Sequence, residues 1–248
     1  LSCDGYSDLW DDFFNLRDKF WPDCPFKWYV VTETKDYNRA GVEVIKCGKE
    51  LNWAGRFRKA VKTVESKYIG IFLEDYFIKS KINTQRVCEY LSFMVSDDVQ
   101  FLNMDDSFHH IDGLPNKVYY KENLIIIPKH LRYGLDTAAA IWNSDYLLER
   151  LGEDDYSAWR FEKDRCDEAL SEEGYKGLIL CDELHTFNVS SIPVVIQGVF
   201  YPGAKRYNEK KCGYKILSQR KTMGMWAVFK YRLKVYCSRA KHGRRFMK

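Results

Sequence analysis

Two adjacent carboxylates, Glu74 and Asp75, follow a short apolar run at residues 68–73. The run consists of strand-forming residues and is too short to cross a membrane, so it predicts a buried strand of a parallel sheet. Both acids would then lie at the carboxyl end of that strand, where open α/β sheets bind ligands. Neighbouring strand residues point to opposite faces, so we expect Asp75 to meet a divalent cation and Glu74 to reach a sugar hydroxyl or another polar group. The alternative is that the pair forms a solvated turn or a helix cap.

The length and composition indicate a folded chain. Its 248 residues can bury one substantial core, as one α/β domain with appendages or as two small domains. The hydrophobic content of 46% argues against disorder, and the many aromatic side chains suit both a core and a cleft that stacks on sugars. No apolar run approaches the ~20 residues of a membrane-spanning helix, so we expect a soluble or peripheral protein.

The cysteines and the start of the chain bear on location. The eight cysteines are scattered without a C-x-x-C pair, which argues against a zinc knuckle and against a compact disulfide framework. Reduced thiols favour a cytoplasmic protein, or one that is peripheral at the inner face of the cell membrane. No signal peptide is evident. A strand is expected before Leu1, so the start is interpreted as trimmed or incompletely observed.

Helical and strand patterns alternate over the first ~110 residues, which predicts an α/β domain with a largely parallel sheet. Predicted strands cover residues 26–32, 42–47, 68–73, 99–103, 177–181 and 194–201, and residues 118–127 contain a further strand-like run at residues 124–127. Predicted helices follow a cap at Ser7, cover residues 52–65, 82–95 and 144–151, and follow a further cap at Ser157. Residues 135–142 are ambiguous between strand and helix. The bases of the helix at residues 52–65 are predicted to form a solvated face.

A polar loop at residues 105–110 contains two aspartates and the adjacent His109 and His110. These residue types are common metal ligands. Adjacent residues on an irregular loop do not define a coordination shell, so a metal site in this loop is a minor hypothesis.

Several short pieces of the chain resemble, in their order, bacterial GT-A glycosyltransferases of cell-surface polysaccharide assembly. They lie at residues 4–10, at Asn52-Trp53 with Arg56, and at residues 73–77, 140–142 and 159–162. The resemblance implies a GT-A (Rossmann-like) mixed, largely parallel sheet flanked by helices. One difference concerns the acids: relatives usually show two aspartates before the aromatic pair, and here the first is Glu74, which leaves Asp75 as the safer metal ligand.

The resemblance also implies a nucleotide-sugar donor held over the carboxyl edge of the sheet, with UDP as the first candidate nucleotide. The residues implied in donor binding are Ser2, Asp4, Tyr6, Asp8, Asn52, Trp53, Arg56 and Glu74. Asp75 would bind Mg²⁺ or Mn²⁺, which neutralises charge on the departing diphosphate. A cation near the start of the second helix, such as Arg56, would also meet the diphosphate, because a guanidinium group matches phosphate geometry.

Transfer with inversion requires a base that removes the proton of the acceptor hydroxyl. We predict that Glu162 is this base, because its aromatic neighbours could raise its pKa. Glu153, Asp154 and Asp155 are the rival candidates, and an ordinary exposed helix acid is the alternative for Glu162. Two tryptophans near these acids, Trp142 and Trp159, are predicted to be core residues rather than sugar platforms.

Residues 205–248 form a basic tail, which we separate from a transferase domain at residues 1–204. The tail contains fifteen Lys and Arg residues against one acid, Glu209. Apolar residues recur at helical spacing between basic ones: Met223, Trp226, Phe229, Leu233 and Cys237. This pattern predicts that residues 221–248 bind an anionic membrane surface, or else that the apolar stripe packs on the core. Nucleic-acid binding is disfavoured, because no groove-reading module is present.

The sequence therefore predicts a metal-dependent, inverting glycosyltransferase that moves a sugar to a glycan or lipid-linked acceptor. Two other classes remain open. A sugar nucleotidyltransferase also places acids near a metal and a nucleotide, although no Gly-rich, Lys-bearing phosphate loop is evident near the start of the chain. A lectin-like protein would bind glycan without needing metal and nucleotide together.

Overall fold

The computed structural model describes residues 1–105, 116–189 and 193–243, apart from the side chains of 235 and 238–243. A 3₁₀ helix at Asp4–Leu9 precedes seven described α-helices: α1 Trp10–Phe20, α2 Trp53–Val64, α3 Thr84–Ser96, α4 Ser144–Leu151, α5 Ala158–Ala169, α6 Pro202–Lys210 and α7 Met225–Gly243. The described strands are β1 Trp28–Thr32, β2 Val42–Lys46, β3 Tyr68–Ile71, β4 Val99–Asn103, β5 Tyr119–Lys121, β6 Leu124–Ile126, β7 Ala140–Asn143, β8 Leu178–Asp182, β9 Val195–Ile196 and β10 Val199–Phe200.

The main sheet has six strands in the order β3-β7-β4-β8-β6-β5. Strands β3, β4 and β8 run in one direction, and β7 lies between β3 and β4 in the opposite direction. The carboxyl ends of β3 and β4 therefore lie at the same edge of the sheet as the beginning of β7. This edge carries the candidate site.

The prediction of a largely parallel sheet is wrong. Only the β4–β8 pair of the main sheet is parallel, and its other four strand pairs are antiparallel. The alternation of helices and strands stops after β4, because β5, β6 and β7 follow one another without a described helix between them. Strands joined without a crossover helix can reverse direction, as β5 and β6 do, and both β6 and β7 run opposite to β4 and β8.

The run that ends in the two carboxylates also differs from its prediction. It forms the four-residue strand β3, which pairs antiparallel with β7. Among the described pairings β3 is an end strand of the main sheet, and only Ile71 of its four residues is buried. It is therefore not a buried strand of a parallel sheet.

A second, two-stranded sheet pairs β1 with β2 in parallel. The first residues of the chain connect it with the main sheet: the Ser2 N–H donates to the Val31 carbonyl at 3.0 Å, and the Leu1 nitrogen donates to the Phe72 carbonyl at 2.9 Å. A mainly apolar cavity of about 500 Å³ lies between β1 and β3, and Glu74 is part of its lining.

Helices cover both faces of the main sheet. Along β4 and β7, neighbouring side chains alternate between two apolar clusters: Phe101 and Trp142 belong to one, and Leu102 and Ile141 to the other. The first cluster packs under α2, α4 and α5, and the second under α1 and α3. The strand positions next to the site are thereby held by packing on both sides.

The segment that follows α6 is attached to the first helix. Both carboxylate oxygens of the buried Asp12 accept hydrogen bonds from this segment, from the Leu217 N–H at 2.7 Å and from the Ser218 N–H at 3.0 Å. The Tyr214 hydroxyl also donates to Asp12, at 2.9 Å. Residues 214–218 are thus part of the folded body, and the domain boundary at residue 204 stays a prediction.

Several local predictions need correction. Ser7 lies inside the 3₁₀ helix and caps no helix, and residues 194–201 form a short hairpin in place of one strand. The strand-like run at residues 124–127 does form a strand, β6 at Leu124–Ile126. Of the bases on α2, Arg58 is buried, and it donates to the carbonyls of residues 152–154. None of the described helices has the length and apolar character needed to cross a bilayer.

Candidate functional site

The topology of the main sheet brings acids from four parts of the chain together. Asp75 follows β3, Asp105 follows β4, Asp136 precedes β7, and Glu162 lies on α5. The loop that contains Asp136 is held beside β4, since the Met104 N–H donates to the Ala139 carbonyl at 3.1 Å. We call these four residues, together with Glu74, the acidic edge.

Four acids of the acidic edge act on Tyr76. Burial raises the pKa of its hydroxyl far above the usual range, and nearby carboxylates raise it further. Those carboxylates belong to Asp75, Asp136, Asp105 and Glu162. A single side chain is therefore within electrostatic reach of all four acids.

The two adjacent acids, Glu74 and Asp75, lie in a poorly solvated part of the acidic edge. Burial raises the pKa of Asp75 to about 8, and the neighbouring Glu74 carboxylate contributes to the shift. Burial also raises the pKa of Glu74, while Ser2 and Arg220 favour its ionised form. Both side chains retain some contact with solvent. This part of the site is consequently a place where a bound cation would be stabilising.

Asp136 and Glu162 interact within the acidic edge, since the Glu162 carboxylate raises the pKa of Asp136. Burial raises the pKa of Asp136 well above its ordinary value, and Asp105 and Glu162 raise it further. Burial likewise raises the pKa of Glu162, whereas a hydrogen bond from the Thr137 hydroxyl, at 3.4 Å, opposes the shift. Glu162 is half-buried, unlike an ordinary exposed helix acid. A carboxylate with a raised pKa is suited to accept a proton near neutral pH.

Arg220 supplies a cation next to the first pair of acids. Its guanidinium group lies 4.6 Å from the centre of the Tyr6 ring and donates to the Gly5 carbonyl at 2.7 Å. It forms an ion pair with Asp8, and its charge lowers the pKa of both Glu74 and Asp75. Partial burial opposes ionisation of Asp8, but hydrogen bonds from Arg220 and Ser218 hold the pKa of Asp8 below its usual range. The predicted residues Tyr6 and Asp8 thus contact a cation that the sequence analysis did not select.

Asp4 and Arg56 both contact Glu33. The Arg56 guanidinium forms an ion pair with the Glu33 carboxylate, which also accepts from the Asp4 N–H. Partial burial opposes ionisation of Asp4, yet hydrogen bonds from Thr32, Thr34 and Lys35 hold its pKa well below the usual range. The Asp4 carboxylate therefore fixes the loop after β1 against the 3₁₀ helix.

Ser2 is buried between the helices and the acidic edge. Its hydroxyl accepts from the Trp10 indole N–H at 2.7 Å and also favours the ionised form of Glu74. The structure thus brings Ser2, Tyr6 and Glu74 together, as the prediction of a common binding site requires.

Asn52, Trp53 and Asp155 have clear roles at the start of α2. The Asn52 side chain caps the helix by accepting from the Trp53 N–H at 2.9 Å, and the Trp53 ring packs on Phe57 and Phe161. Asp155 accepts from the Asn52 N–H at 2.6 Å and from the Gly55 N–H, so both of its carboxylate oxygens are engaged. These contacts favour a capping role for Asp155.

The remaining rival bases are at the surface. Glu153 and Asp154 are exposed, and Asp154 forms an ion pair with Arg160. Trp142 is fully buried, as predicted, but Trp159 is 81% exposed, so its prediction as a core residue is wrong. Trp159 precedes Glu162 on α5 and offers a free aromatic surface.

The donor set restricts the kind of metal that fits. Across residues 1–105, 116–189 and 193–243, the structure contains no group of three or more His, Cys, Asp or Glu side chains arranged to hold an ion. Mg²⁺ is commonly bound by one or two carboxylates together with substrate phosphates and water. Asp75 therefore fits a cation that arrives with a phosphorylated ligand, and fits poorly to an all-protein metal site.

The minor metal hypothesis concerned residues 105–110. Of these, residues 106–110 lie outside the described part of the chain. Asp105 is fully buried, its carboxylate accepts from the Ala139 N–H at 3.3 Å, and its backbone carbonyl contacts the His185 ring at 2.7 Å. These contacts hold Asp105 in its position within the acidic edge.

Comparison of the chain with protein families, with curated proteins and with solved structures finds no match.

Three site residues were missed by sequence reasoning: Asp136, Arg220 and Glu33. Asp136 lies in the ambiguous stretch before β7, and only the antiparallel insertion of β7 brings it to the acidic edge. Arg220 reaches the site from the basic tail, where it is one of fifteen cations. Neither residue carries a local sequence signal. The position of Glu33 directly after β1 is the one signal that could have identified it.

Proposed function

We propose that the chain is a metal-dependent glycosyltransferase of the GT-A fold, which moves a sugar from a nucleotide-sugar donor to a hydroxyl acceptor. One observation carries the proposal: the carboxylates of Asp75 and Glu162, which are predicted to be metal ligand and base, both lie within electrostatic reach of the Tyr76 hydroxyl. The two residues are far apart in sequence and come from different elements. Their convergence at the carboxyl end of β3 supports a common reaction site.

Donor binding is assigned to the part of the acidic edge near Tyr6. Arg220 and Arg56 flank this part with positive charge, which suits a diphosphate. Both guanidinium groups already pair with carboxylates, with Asp8 and Glu33 respectively, so a diphosphate would share or replace these partners. The Tyr6 ring, which is half-buried beside Arg220, offers a surface for a base or a sugar.

The residues fit Mg²⁺ or Mn²⁺ only together with diphosphate oxygens. When bound, such a cation supplies charge neutralisation on the leaving diphosphate. Asp75 holds the cation and Glu74 maintains the negative character of the acidic edge. Asp75 must lose its proton to bind, so donor and metal binding should strengthen as pH rises towards 8.

Glu162 is assigned as the base that accepts the proton of the acceptor hydroxyl. Its raised pKa suits this role, and the exposed Trp159 on the same helix provides a stacking surface for an acceptor sugar. Burial is what keeps the pKa of Glu162 elevated. This arrangement favours inversion, in which a base acts on the acceptor directly.

Calorimetric titration of UDP, GDP and CMP, with Mn²⁺ and with a chelator, tests the donor site. We expect one nucleotide to bind only with metal, and Asp75→Asn to lose that binding. Asp145→Asn is the matched control, because Asp145 follows the carboxyl end of β7 and therefore lies at the opposite edge of the sheet. Absence of nucleotide binding by a folded wild-type protein would refute the transferase proposal.

The same samples distinguish the alternative classes. A sugar nucleotidyltransferase would release pyrophosphate from a nucleoside triphosphate and a sugar phosphate, whereas a transferase would release a nucleoside diphosphate or monophosphate from a donor. A lectin-like protein would bind oligosaccharide equally well with metal and with chelator. The carboxylates that surround Tyr76 electrostatically favour the transferase over the lectin-like protein.

A further inference from the structure

The C-terminal helix α7 has an inner face that fixes its orientation on the protein. Val228 and Tyr231 are half-buried and pack against the core cluster under α1 and α3. The Tyr231 and Tyr201 ring centres lie 5.9 Å apart, and Arg232 Nε donates to the Tyr201 hydroxyl at 3.0 Å. These contacts determine which side of α7 faces away from the body.

The opposite side of α7 is apolar and exposed. Five large side chains there are between 51% and 90% exposed: Met225, Trp226, Phe229, Leu233 and Tyr236. On an ideal helix these positions fall within an arc of about 100°, so they form one continuous stripe. We call it the outer stripe. A continuous exposed apolar patch marks an interaction surface, whereas scattered single residues do not.

Cations border the outer stripe on both sides. Lys230 and Lys234 are exposed and follow one border on the helix, and Arg232 is exposed at the other border. Residues 205–248 contain fifteen Lys and Arg residues and only one acid, Glu209, which lies on α6. The helix α7 itself contains no acid. The surface therefore combines an apolar centre with a positively charged rim.

We propose that the outer stripe of α7 lies on an anionic lipid bilayer. The aromatic and aliphatic side chains enter the boundary between headgroups and acyl chains, and the bordering cations contact lipid phosphates. The helix lies in the plane of the membrane surface, because its inner face remains packed on the protein. This inference uses only the exposure and charge of α7 and does not depend on the proposed reaction.

Other occupants match this surface less well. Two outer stripes packed against each other would bring their cations together without acidic partners. Nucleic acid would neutralise the cations, but it offers no matching apolar surface to the aliphatic members of the stripe, Met225 and Leu233. An anionic bilayer satisfies both the apolar centre and the charged rim.

Flotation with phosphatidylcholine vesicles, with and without phosphatidylglycerol, tests the proposal on the full chain. We expect the wild type to float only with the anionic vesicles. Phe229→Ser/Leu233→Ser should weaken partition about 100-fold, since each loses about a tenfold gain from apolar burial. Lys230→Gln/Lys234→Gln should weaken it about 30-fold, since each cation near the surface contributes about fivefold.

A matched control removes two exposed apolar side chains elsewhere. Val95 and Leu170 are 55% and 62% exposed and lie on or next to other helices. Val95→Ser/Leu170→Ser should therefore float like the wild type. Equal flotation of the wild type and Phe229→Ser/Leu233→Ser would overturn the proposal, as would failure of a folded wild type to float.

Two further measurements on the same proteins identify a different occupant. Sedimentation velocity that detects a dimer, lost in Phe229→Ser/Leu233→Ser and accompanied by no flotation, would assign the stripe to a second copy. Salt-sensitive retention of an oligonucleotide, lost in Lys230→Gln/Lys234→Gln and accompanied by no flotation, would assign it to nucleic acid. Either result would overturn the assignment to lipid.

Discussion

The acidic edge of the main sheet and the outer stripe of α7 hold their charges in opposite ways. At the acidic edge, carboxylates lie close together with little water, so the pKa values of Asp75, Asp136 and Glu162 are raised. Around the outer stripe, Lys230 and Lys234 are spread along an exposed helix surface. At the acidic edge, repulsion and desolvation of the carboxylates are relieved when a cation or a proton binds, whereas the outer stripe is an open surface available for contact.

The difference explains why the two regions call for different tests. A substitution at the acidic edge changes proton and ligand affinity, because the groups interact with one another. A substitution on the outer stripe should leave the folded body unchanged and alter only contacts with a partner. The predictions below use this contrast.

The largest expected effect concerns the proposed base. Glu162→Gln should lower kcat about 10²–10⁴-fold, because the amide cannot accept the acceptor proton, while nucleotide binding stays intact. Steady-state rates with the donor found by calorimetry, together with a binding titration, measure both quantities. An equal loss in Glu153→Gln, at an exposed position, would contradict the assignment of Glu162.

The pH profile sharpens this prediction. The base must be ionised, so kcat/KM should fall as the pH is lowered through the raised pKa of Glu162. The Thr137 hydroxyl favours the ionised form, and Thr137→Val should therefore shift the acidic limb to higher pH. A profile that is unchanged in Thr137→Val would argue that another group sets the limb.

The next effect is the pH dependence of stability without metal. Burial raises the pKa of Asp75 to about 8 in the folded protein, so folding favours the protonated carboxyl group. The stabilisation from this protonated group is complete below about pH 4, where Asp75 is also protonated in the unfolded chain. It is lost as the pH rises towards and through 8. After discounting for its contact with solvent, we expect a loss of about 2–3 kcal/mol in the free energy of unfolding. Urea titrations at pH 5 and pH 8.5 should show this loss in the wild type and a smaller one in Asp75→Asn.

A smaller effect is expected at the start of α2. Asp155→Ala removes a carboxylate that accepts from the Asn52 and Gly55 N–H groups, and should cost about 1 kcal/mol of stability. Glu153→Ala, at an exposed position in the same loop, should change stability by less than about 0.5 kcal/mol. Thermal unfolding of both variants separates them. A kcat loss in Asp155→Ala as large as that of Glu162→Gln would revive Asp155 as the base.

The smallest effect belongs to the outer stripe. Phe229→Ser/Leu233→Ser should change the free energy of unfolding by less than about 0.5 kcal/mol, because both side chains are already exposed. Tyr231→Ala, on the inner face, should destabilise the protein measurably, because it removes packing against Tyr201. Equal destabilisation by the two variants would show that the stripe is packed in solution, and would remove the contrast with the acidic edge.

The helices and strands that were predicted most accurately are those marked by patterns within their own segment of sequence. The strand Val99–Asn103 was predicted with its observed bounds, and the helix α2 was predicted to within one residue at each end. Asn52 caps α2 through its own side chain, and the apolar spacing of that helix indicates its buried face. Signals of this kind depend on neighbours in sequence, which are visible without a structure.

The features that could not be predicted depend on partners distant in sequence. The direction of β7 follows from its insertion between β3 and β4, and the position of Asp136 follows from that insertion. Arg220 gains its role only by reaching Asp8 and Gly5 at the other end of the chain. Trp159 was assigned to the core on residue type alone, which does not determine the side of a helix that faces solvent.

Arg220 has a mechanical consequence as well as an electrostatic one. It is bound to Asp8 and Gly5 beside the acidic edge, and α7 begins at Met225, so only residues 221–224 join the two. The five residue steps from Arg220 to Met225 span at most ~18 Å. If α7 lies on a bilayer, this short linker limits the distance between the lipid surface and the proposed donor site beside Arg220. Under the proposed transferase function, the protein would then favour acceptors whose reactive hydroxyl lies at that distance from the membrane.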